Sequence, residues 1–320
     1  MSISKLRGSI PMTFQNLRKL DTLDLGTNEL SGTVSETLFE SLPFLSNLKL
    51  SNNPLSGPIP SSITKGNQLS GYIPSSFSGL VKLDECDLSA NNFSGNILPF
   101  AKLGSIQRLY LANNKFIGIL PDDIGNLSGL IVLSLPNNKL VGKVPSSFGN
   151  LQTLSLLNLS RNQLTGPIPP EFSKLQKLDI LDLSFNPLNL NSLPNWIPHL
   201  GRIQSLSMAR TGIKGPFPDW LPSCSYLYRL DLSDNEMTGI LPSWIGNMTG
   251  LNYLNLSRNA FYSLIPEEFR NLTSLTDLDV SGNHLTGRIP TFDATFPASM
   301  ESFLGNPGFC GAPLSPCTHS

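Results

Sequence analysis

The sequence is poor in the residues on which most metal sites and nucleic-acid surfaces depend. Only 14% of its residues are charged, and 22 basic and 23 acidic side chains leave a net charge of −1. The cysteines number four and the histidines three, and the histidines, at positions 199, 284 and 319, stand at no ligand spacing from a cysteine. We therefore expect no metal, no cofactor and no nucleic-acid partner.

Catalytic motifs and long apolar runs are lacking as well. No phosphate loop, nucleophile elbow or kinase motif occurs, and no apolar run reaches the roughly 18 residues of a membrane-spanning helix. Asp277 with Asp279, and Glu85 with Asp87, have the spacing of about 7 Å that suits an inverting glycosidase. An open strand, however, offers no pocket that would keep one carboxyl protonated. We expect a protein that is not an enzyme.

What the sequence does contain is a repeat. The pattern L-x-x-L-x-L-x-x-N-x-L-x-G-x-I-P returns about every 24 residues, as in LLNLSRNQLTGPIP (156–169). A unit this short cannot bury its own apolar face, so stability must come from about twelve units stacked on one another. The Asn of the pattern, replaced once by Thr, falls at Asn28, Asn53, Asn67, Asn91, Asn114, Asn138, Asn162, Asn186, Thr211, Asn235, Asn259 and Asn283.

Each unit predicts a short parallel strand followed by a turn. In the strand, Leu157 faces inward while its two neighbours face outward. The Asn can bond backbone groups of the turn, and the Gly permits unusual backbone angles. The remaining half-repeat, such as SSFGNLQTL (146–154), returns over the outer face with Phe148, Leu151 and Leu154 pointing inward.

The repeat at 54–67 is shortened. It lacks about ten residues, those that elsewhere form the strand. We predict that the strand at Leu48–Leu50 pairs directly with Cys86–Leu88, and that residues 57–79 form one long connection, because a gap in the sheet would leave backbone groups unpaired. The alternative is an error of splicing or annotation without functional meaning.

The 24-residue unit with L-x-G-x-I-P resembles the plant-specific class of extracellular leucine-rich repeats, over roughly residues 4–290. This class occurs in receptor ectodomains, receptor-like proteins and polygalacturonase-inhibiting proteins. The segment LNLNSLPNWI (188–197) is similar to small secreted repeat proteins without a kinase. The resemblance implies an α/β solenoid, a right-handed superhelix with a parallel β-sheet on the concave face and loops and 3-10 turns on the convex face.

The resemblance also implies the domain organisation, with a solenoid over 1–290 and a C-terminal cap over 291–320. The ending SFLGNPGFCGAPLSPC (302–317) is similar to the cap of this class, where two cysteines close the solenoid. It implies a Cys310–Cys317 disulfide, which persists only in an oxidising compartment. No N-terminal cap or signal peptide precedes the first repeat, so we expect either a fragment of a longer protein or a degenerate member.

Two cysteines remain outside the cap. Cys86 occupies a strand position that is Leu in other repeats, and Cys224 lies just before a strand. We expect both to be buried and unreactive.

Asn-x-Ser/Thr sequons would mark a secreted protein. Those at 158 and 255 arise whenever Asn takes the variable position of L-x-L-S, whereas those at 126, 247 and 271 fall on the outer half-repeat, where a glycan would project freely. We predict the latter three as the better acceptors. The six sequons are at Asn92, Asn126, Asn158, Asn247, Asn255 and Asn271.

The outward strand positions carry the functional signal. In the middle of the chain they hold an apolar stripe, which suggests a surface that binds a partner, although strand propensity alone also favours such residues. The stripe consists of Tyr110, Val132, Leu156, Ile180 and Phe185. Polar anchors could flank it at Arg108, Arg161, Arg210, Arg229 and Tyr253.

These features predict a non-enzymatic recognition module of the plant cell wall or cell surface. By the resemblance, it binds a protein or peptide on the concave face in defence or developmental signalling, with a co-receptor as a further partner. No strand carries the R-x-R that receptors of free peptide carboxylates often use. The alternatives are an inhibitor of secreted wall-degrading enzymes, a structural or ice-binding solenoid, and a truncated piece of a receptor-like protein.

Overall fold

The computed structural model describes residues 5–56, 73, 75–292 and 299–317. The chain forms two compact units, Met1–Thr165 (unit 1) and Gly166–Ser320 (unit 2). In both units each regular repeat contributes a three-residue strand, a turn and a 3-10 turn, so that the predicted solenoid fold of parallel sheets and 3-10 turns is confirmed. We call the sheet of three-residue strands the first sheet.

The strands of the first sheet lie parallel and in register. The middle residue of each strand is buried, as for Leu109, Leu133 and Leu157, and its two neighbours face outward. In unit 1 the strands are Thr22–Asp24, Asn47–Lys49, Glu85–Asp87, Arg108–Tyr110, Val132–Ser134 and Leu156–Asn158. In unit 2 they are Ile180–Asp182, Ser205–Ser207, Arg229–Asp231, Tyr253–Asn255 and Asp277–Asp279.

The predicted consequence of the shortened repeat is confirmed in the sheet. The strand Asn47–Lys49 pairs directly with Glu85–Asp87, and Leu48 is the register partner of Cys86. The sheet therefore continues across the deletion with every strand paired. Most of the predicted connection 57–79, including Asn67, lies outside the described residues.

A second set of parallel strands, which we call the second sheet, follows the turns and was not predicted. In unit 1 it comprises Arg7–Gly8 paired with Glu29–Leu30, and then Ser94–Gly95, Lys115–Ile119, Lys139–Gly142 and Gln163–Leu164. In unit 2 it comprises Lys214–Gly215, Glu236–Ile240, Ala260–Ser263, His284–Arg288 and Gly308–Cys310. The repeat's Gly lies in these strands, for example Gly118 with φ +84°, a backbone angle that a side chain would strain.

Short helical turns carry the chain back to the next strand. Their Phe side chains fill the core, and Phe77 packs edge-on against Phe39 and Phe100 with ring centroids 4.8 and 5.1 Å apart. A short α-helix spans Glu36–Glu40. The 3-10 turns are Met12–Asn16, Ser75–Gly79, Leu98–Lys102, Asp122–Asn126, Ser146–Asn150, Pro170–Lys174, Ile197–His199, Leu221–Ser223, Ser243–Asn247, Glu267–Asn271 and Met300–Phe303.

The repeated Asn joins neighbouring repeats as well as its own turn. Asn138 Nδ2 donates to the carbonyl of Leu135 in its own repeat at 3.1 Å and to that of Leu111 in the preceding repeat at 2.9 Å. Its Oδ1 accepts the Phe116 N–H at 3.0 Å. Because these backbone groups are buried, water cannot reach them. The Asn138 amide supplies their hydrogen-bond partners instead.

The C-terminal segment adds one more Asn that bonds the preceding repeat in this way, which the repeat pattern did not reveal. Asn306 Oδ1 accepts the Leu285 N–H at 3.0 Å, as a repeat Asn does. The strand Gly308–Cys310 then pairs with His284–Arg288. Cys310 and Cys317 are joined by a disulfide, while Cys86 and Cys224 are free and buried, as predicted.

Candidate binding surface

The outward positions of the first sheet form two rows of side chains in unit 1. Arg108, Val132 and Leu156 are register partners in one row, and Tyr110 pairs with Ser134 in the other. Each of these side chains is half-buried. Neighbouring strands of a sheet lie about 4.8 Å apart, so a single extended segment could touch three side chains of a row at once.

The predicted apolar stripe is not one straight row. Tyr110 occupies the second outward position of its strand and lies opposite Ser134, diagonal to Val132. Side chains two residues apart along a strand belong to different rows, so the stripe spans both rows. Arg108 is the residue that shares the row of Val132 and Leu156.

Charged side chains lie in and beside the strands that precede Val132–Ser134 in the chain. Arg108 forms an ion pair with Asp84 at 3.7 Å. Lys49 pairs with Glu85 at 2.9 Å, and the hydrogen bond that Lys49 donates to the Glu85 carboxylate raises the pKa of Lys49. The Arg108 guanidinium is thus oriented by a carboxylate at the edge of the apolar row, where it can still donate to a ligand.

In unit 2 the corresponding row contains an arginine stacked on a tyrosine. Ile180, Ser205, Arg229 and Tyr253 follow one another in register. The Arg229 guanidinium carbon lies 3.6 Å from the Tyr253 ring centroid, and the Tyr253 hydroxyl accepts a hydrogen bond from Asn255 at 3.3 Å. The structure therefore brings these two predicted anchors together as a stacked pair.

The remaining predicted residues lie at the position before the repeat Asn. Arg161 and Arg210 are exposed and Phe185 is half-buried, and all three have left-handed backbone angles, with φ of 53°, 52° and 56°. The same angle recurs at this position in other repeats, for example 57° at Asn137. These side chains therefore leave the sheet at its C-terminal edge and do not lie within the outward rows.

The second outward position has a structural role that the sequence pattern did not reveal. The Oδ1 atom of Asp182 accepts the backbone N–H of Ser184 at 3.0 Å, and Asp279 likewise accepts that of Ser281 at 2.9 Å. An Asx turn of this kind explains why Asp recurs there. Each acidic pair considered as a catalytic site therefore contains one residue that fixes the turn, Asp279 in one pair and Asp87 in the other.

Two sequons use the same turn. Asn158 Oδ1 accepts both the backbone N–H of Ser160, at 3.0 Å, and its hydroxyl, at 2.7 Å. Asn255 makes the equivalent pair of bonds with Ser257. Both Asn side chains are half-buried. The exposed sequons are Asn92, Asn126, Asn247 and Asn271.

A cavity of about 670 Å³ opens in unit 2 where an irregular repeat lacks a second-sheet strand. Its walls are formed by 166–170 and 188–196, with the buried side chains of Leu190, Leu193 and Trp196. The lining side chains are apolar, hydroxyl or amide groups. In the part of the chain that the structure describes, no helix has the length and apolarity to cross a membrane.

Comparison with known proteins agrees with this geometry. The family profile described as "Leucine rich repeat" matches residues 128–188 and 225–285, and a second profile of the same description matches 44–65 and 105–127, together about half of the chain. Receptor-like protein 41 of Arabidopsis thaliana is 34% identical over 135 residues, which cover 38% of this chain and 15% of that protein. Receptor-like protein EIX2 of Solanum lycopersicum is 29% identical over 137 residues, which cover 42% of this chain and 12% of that protein.

Solved structures show the same fold. The plant peptide hormone receptor RGFR1 in complex with RGF2 superposes with a TM-score of 0.73 at 28% identity, covering 89% of this chain and 47% of that one. PEPR1 in complex with AtPEP1 gives 0.72 at 32%, covering 89% and 42%. A plant ice-binding protein gives 0.61 at 26%, covering 93% and 84%. The chain thus spans less than half of the RGFR1 and PEPR1 chains and a small part of its curated relatives. It belongs to the leucine-rich repeat proteins.

Proposed function

We propose that this chain is a non-enzymatic recognition module that binds an extended protein or peptide segment on the outward face of the first sheet. The observation that carries the proposal is the row Arg108–Val132–Leu156 with Tyr110 beside it. Their side chains point away from the core, and the turns are held by other residues. A row of aliphatic side chains with an arginine and a tyrosine at its border has the composition of a protein interface.

The relatives support a proposal for the location and context. The chain resembles receptor-like proteins and a plant peptide hormone receptor solved in complex with RGF2. We place it at the cell surface or in the cell wall, in defence or developmental signalling, with a co-receptor as a further partner. The Cys310–Cys317 disulfide supports an oxidising compartment.

The proposal is tested by position-specific cross-linking. Ser134→Cys places a thiol in the middle of the outward face, and Asn150→Cys places one on an exposed 3-10 turn as the matched control. Each purified variant, labelled with a benzophenone maleimide, is irradiated in native extracellular fluid. We expect a discrete cross-linked polypeptide from position 134 alone, and its loss when Val132 and Leu156 are changed to Asp.

Equal cross-linking from both positions, or none from position 134, would contradict the proposal. Changing Val81 and Leu98 to Asp controls for added charge, because both residues are exposed and lie outside the first sheet. If the captured polypeptide is a wall-degrading enzyme, an inhibition assay with that enzyme distinguishes an inhibitor from a receptor-like module.

A structural or ice-binding role is a second candidate, because a plant ice-binding protein shares the fold over 84% of its length. Ice binding requires a flat, regular array of small hydroxyl side chains. On the second sheet of unit 1 the outward positions hold Lys115, Ile117, Lys139 and Val141 instead. Measurement of thermal hysteresis decides between the two, and we expect none.

A further inference from the structure

The second sheet of unit 1 carries an apolar surface that the function proposed above does not use. Phe116 and Leu140 point inward from its strands and are fully buried, so their neighbours point outward. Ile117, Ile119 and Val141 are 42%, 64% and 38% exposed. Ile119 and Val141 are register partners, and Ile117 is two residues from Ile119 on the same strand. The three side chains thus form one contiguous patch.

Lysines border this patch along its own two strands. Lys115 and Lys139 lie on the same two strands and Lys143 follows the second of them, and all three are exposed. Among the described residues none of them is in an ion pair. The outward positions on the flanking strands are neutral, with Asn96 on one side and Gln163 on the other.

The next acidic residues along the chain from Ile119 belong to the following 3-10 turn. Asp122 and Asp123 begin that turn, and Asp123 is bonded by Lys102 at 2.7 Å. In unit 2 the corresponding strand begins instead with Glu236, which pairs with Lys214 at 3.0 Å. The unpaired positive charge around an aliphatic patch is therefore a property of unit 1.

The side chains of the patch indicate the class of partner. Surfaces that dock on membranes insert Trp, Phe or Leu, whereas this patch offers short β-branched side chains on a flat sheet. Aliphatic groups pack best on other aliphatic groups, and lysines at the rim of an interface select carboxylates across it. Single exposed aliphatic residues need no explanation, but three at adjoining outward positions, bordered by charges of one sign, do.

We propose that this surface, formed by Ile117, Ile119, Val141, Lys115, Lys139 and Lys143, binds a protein segment that presents aliphatic side chains bordered by carboxylates. It belongs to a different sheet from the recognition surface described above. A partner here and a ligand on the first sheet would therefore be held by separate residues. The lysines steer the acidic partner to the site, and the aliphatic side chains supply the buried contact.

The test uses the whole chain and synthetic eight-residue peptides. One peptide alternates Val with Glu, a second Val with Lys, and a third Ser with Glu. Binding is measured by fluorescence anisotropy at about 0.05 M and about 0.3 M salt, between which the screening length falls roughly twofold. We expect saturable binding of the Val/Glu peptide that weakens with salt, and much weaker binding of the other two.

Two sets of substitutions locate the binding. Lys115→Ser, Lys139→Ser and Lys143→Ser together, or Ile117→Thr, Ile119→Thr and Val141→Thr together, should each weaken binding at least about tenfold. Threonine keeps the strand propensity, so that set preserves the fold if the lysine set does not. The control changes Lys19, Lys174 and Lys177 to Ser, three exposed lysines outside the second sheet, and should leave the affinity unchanged.

The contrary outcomes are equally specific. No saturable binding of the Val/Glu peptide, or equal binding of the Val/Lys peptide, would overturn the proposal. Lysine-dependent binding to phosphatidylserine vesicles without peptide binding would replace it with a membrane surface. Self-association in sedimentation that the Ile/Val set abolishes would replace it with a dimer interface. Loss of binding in the Val132/Leu156 variant, but not in these sets, would assign the peptide to the first sheet.

Discussion

At the scale of single residues, the position before each repeat Asn is constrained by its backbone. Ala90, Arg161 and Phe185 all have φ between 51° and 56°, in the left-handed region that costs most residues about 1 kcal/mol or more. Other repeats place Asn there, at Asn113 and Asn137, a residue that tolerates this angle. The backbone at this position is therefore held at the same angle in these repeats, although the side chain varies.

This constraint predicts that Ala90→Asn stabilises the protein. Asn adopts the left-handed angle more easily than Ala, so we expect a gain of about 0.5–1 kcal/mol in the free energy of unfolding. The measurement is urea unfolding followed by circular dichroism. Ala90→Gln is the control, because Gln has a similar polarity without the preference for this angle, and a gain of the same size there would contradict the explanation.

The two free cysteines give a prediction for pH. Burial raises the pKa of the Cys224 thiol to about 11, and burial raises that of Cys86 well above its ordinary value of 9.0. The folded state therefore retains these protons after the unfolded chain has lost them. Stability from this source is fully present below about pH 9 and declines as the pH rises toward 11.

We expect the urea midpoint to fall between pH 8 and pH 10.5, and to fall less in Cys224→Ala. Other groups also titrate in this window, so the difference between the two proteins is the relevant quantity. An equal fall in both would contradict the assignment to Cys224. At pH 8 the native protein should also leave both thiols unalkylated by iodoacetamide, since the thiolate is the reactive form.

At the scale of elements, the repeat Asn holds neighbouring strands together. Asn138→Ala removes the acceptor of the Phe116 N–H and a donor to the Leu111 carbonyl, both of them buried. A buried group without a partner costs about 1–3 kcal/mol, and the damage is confined to the two adjacent repeats. We expect the Phe116 amide to lose hydrogen-exchange protection, while amides two or more repeats away keep theirs.

Asn150→Ala is the matched control for this prediction. Asn150 is an exposed residue at the end of a 3-10 turn, and its loss leaves no buried group unpaired. Uniform loss of protection across the chain in Asn138→Ala would contradict the picture of local coupling between repeats.

The elements also show how far the sequence alone could predict the structure. The strand at Val132–Ser134 and the buried Phe148 follow from the repeat spacing. Each repeat must place an apolar side chain at the same core positions as its neighbours. The second sheet could not be predicted in this way, because in KFIGI (115–119) the outward Ile117 and Ile119 are apolar like the inward Phe116. That segment lacks the polar alternation that marks an exposed face, and its pairing depends on the neighbouring repeat.

The candidate surface could also be predicted only in part from the sequence. The outward direction of Val132 and Leu156 follows from strand periodicity. The second outward position of Tyr110 follows from the same periodicity, whereas the stacking of Arg229 on Tyr253 requires both strands in place. The role of Asn306, which bonds the preceding repeat as a repeat Asn does, was missed because the segment NPGF in which it lies lacks the Leu of the repeat.

At the scale of the whole molecule, the sequons predict which surfaces stay uncovered. We expect glycans at Asn126, Asn247 and Asn271, which are exposed on the 3-10 turns, and none at Asn158 and Asn255, which are half-buried and whose side-chain oxygens accept hydrogen bonds from Ser160 and Ser257. Glycopeptide mass spectrometry of the protein from its native tissue measures this directly. Occupancy at Asn158 would cover the row of Val132 and Leu156 and contradict that surface as the binding face.

The central claim is that the outward face of the first sheet in unit 1 binds the partner. Val132→Asn converts residues 132–134 to Asn-Leu-Ser, a new sequon in the middle of that face. The decisive measurement is partner binding by this variant, with the new glycan verified by mass spectrometry, beside Asn126→Gln, which removes a glycan from a 3-10 turn. We predict that the glycan at position 132 abolishes binding and that its enzymatic removal restores most of it, while Asn126→Gln binds normally. Undiminished binding with the glycan in place would show that the partner is bound elsewhere.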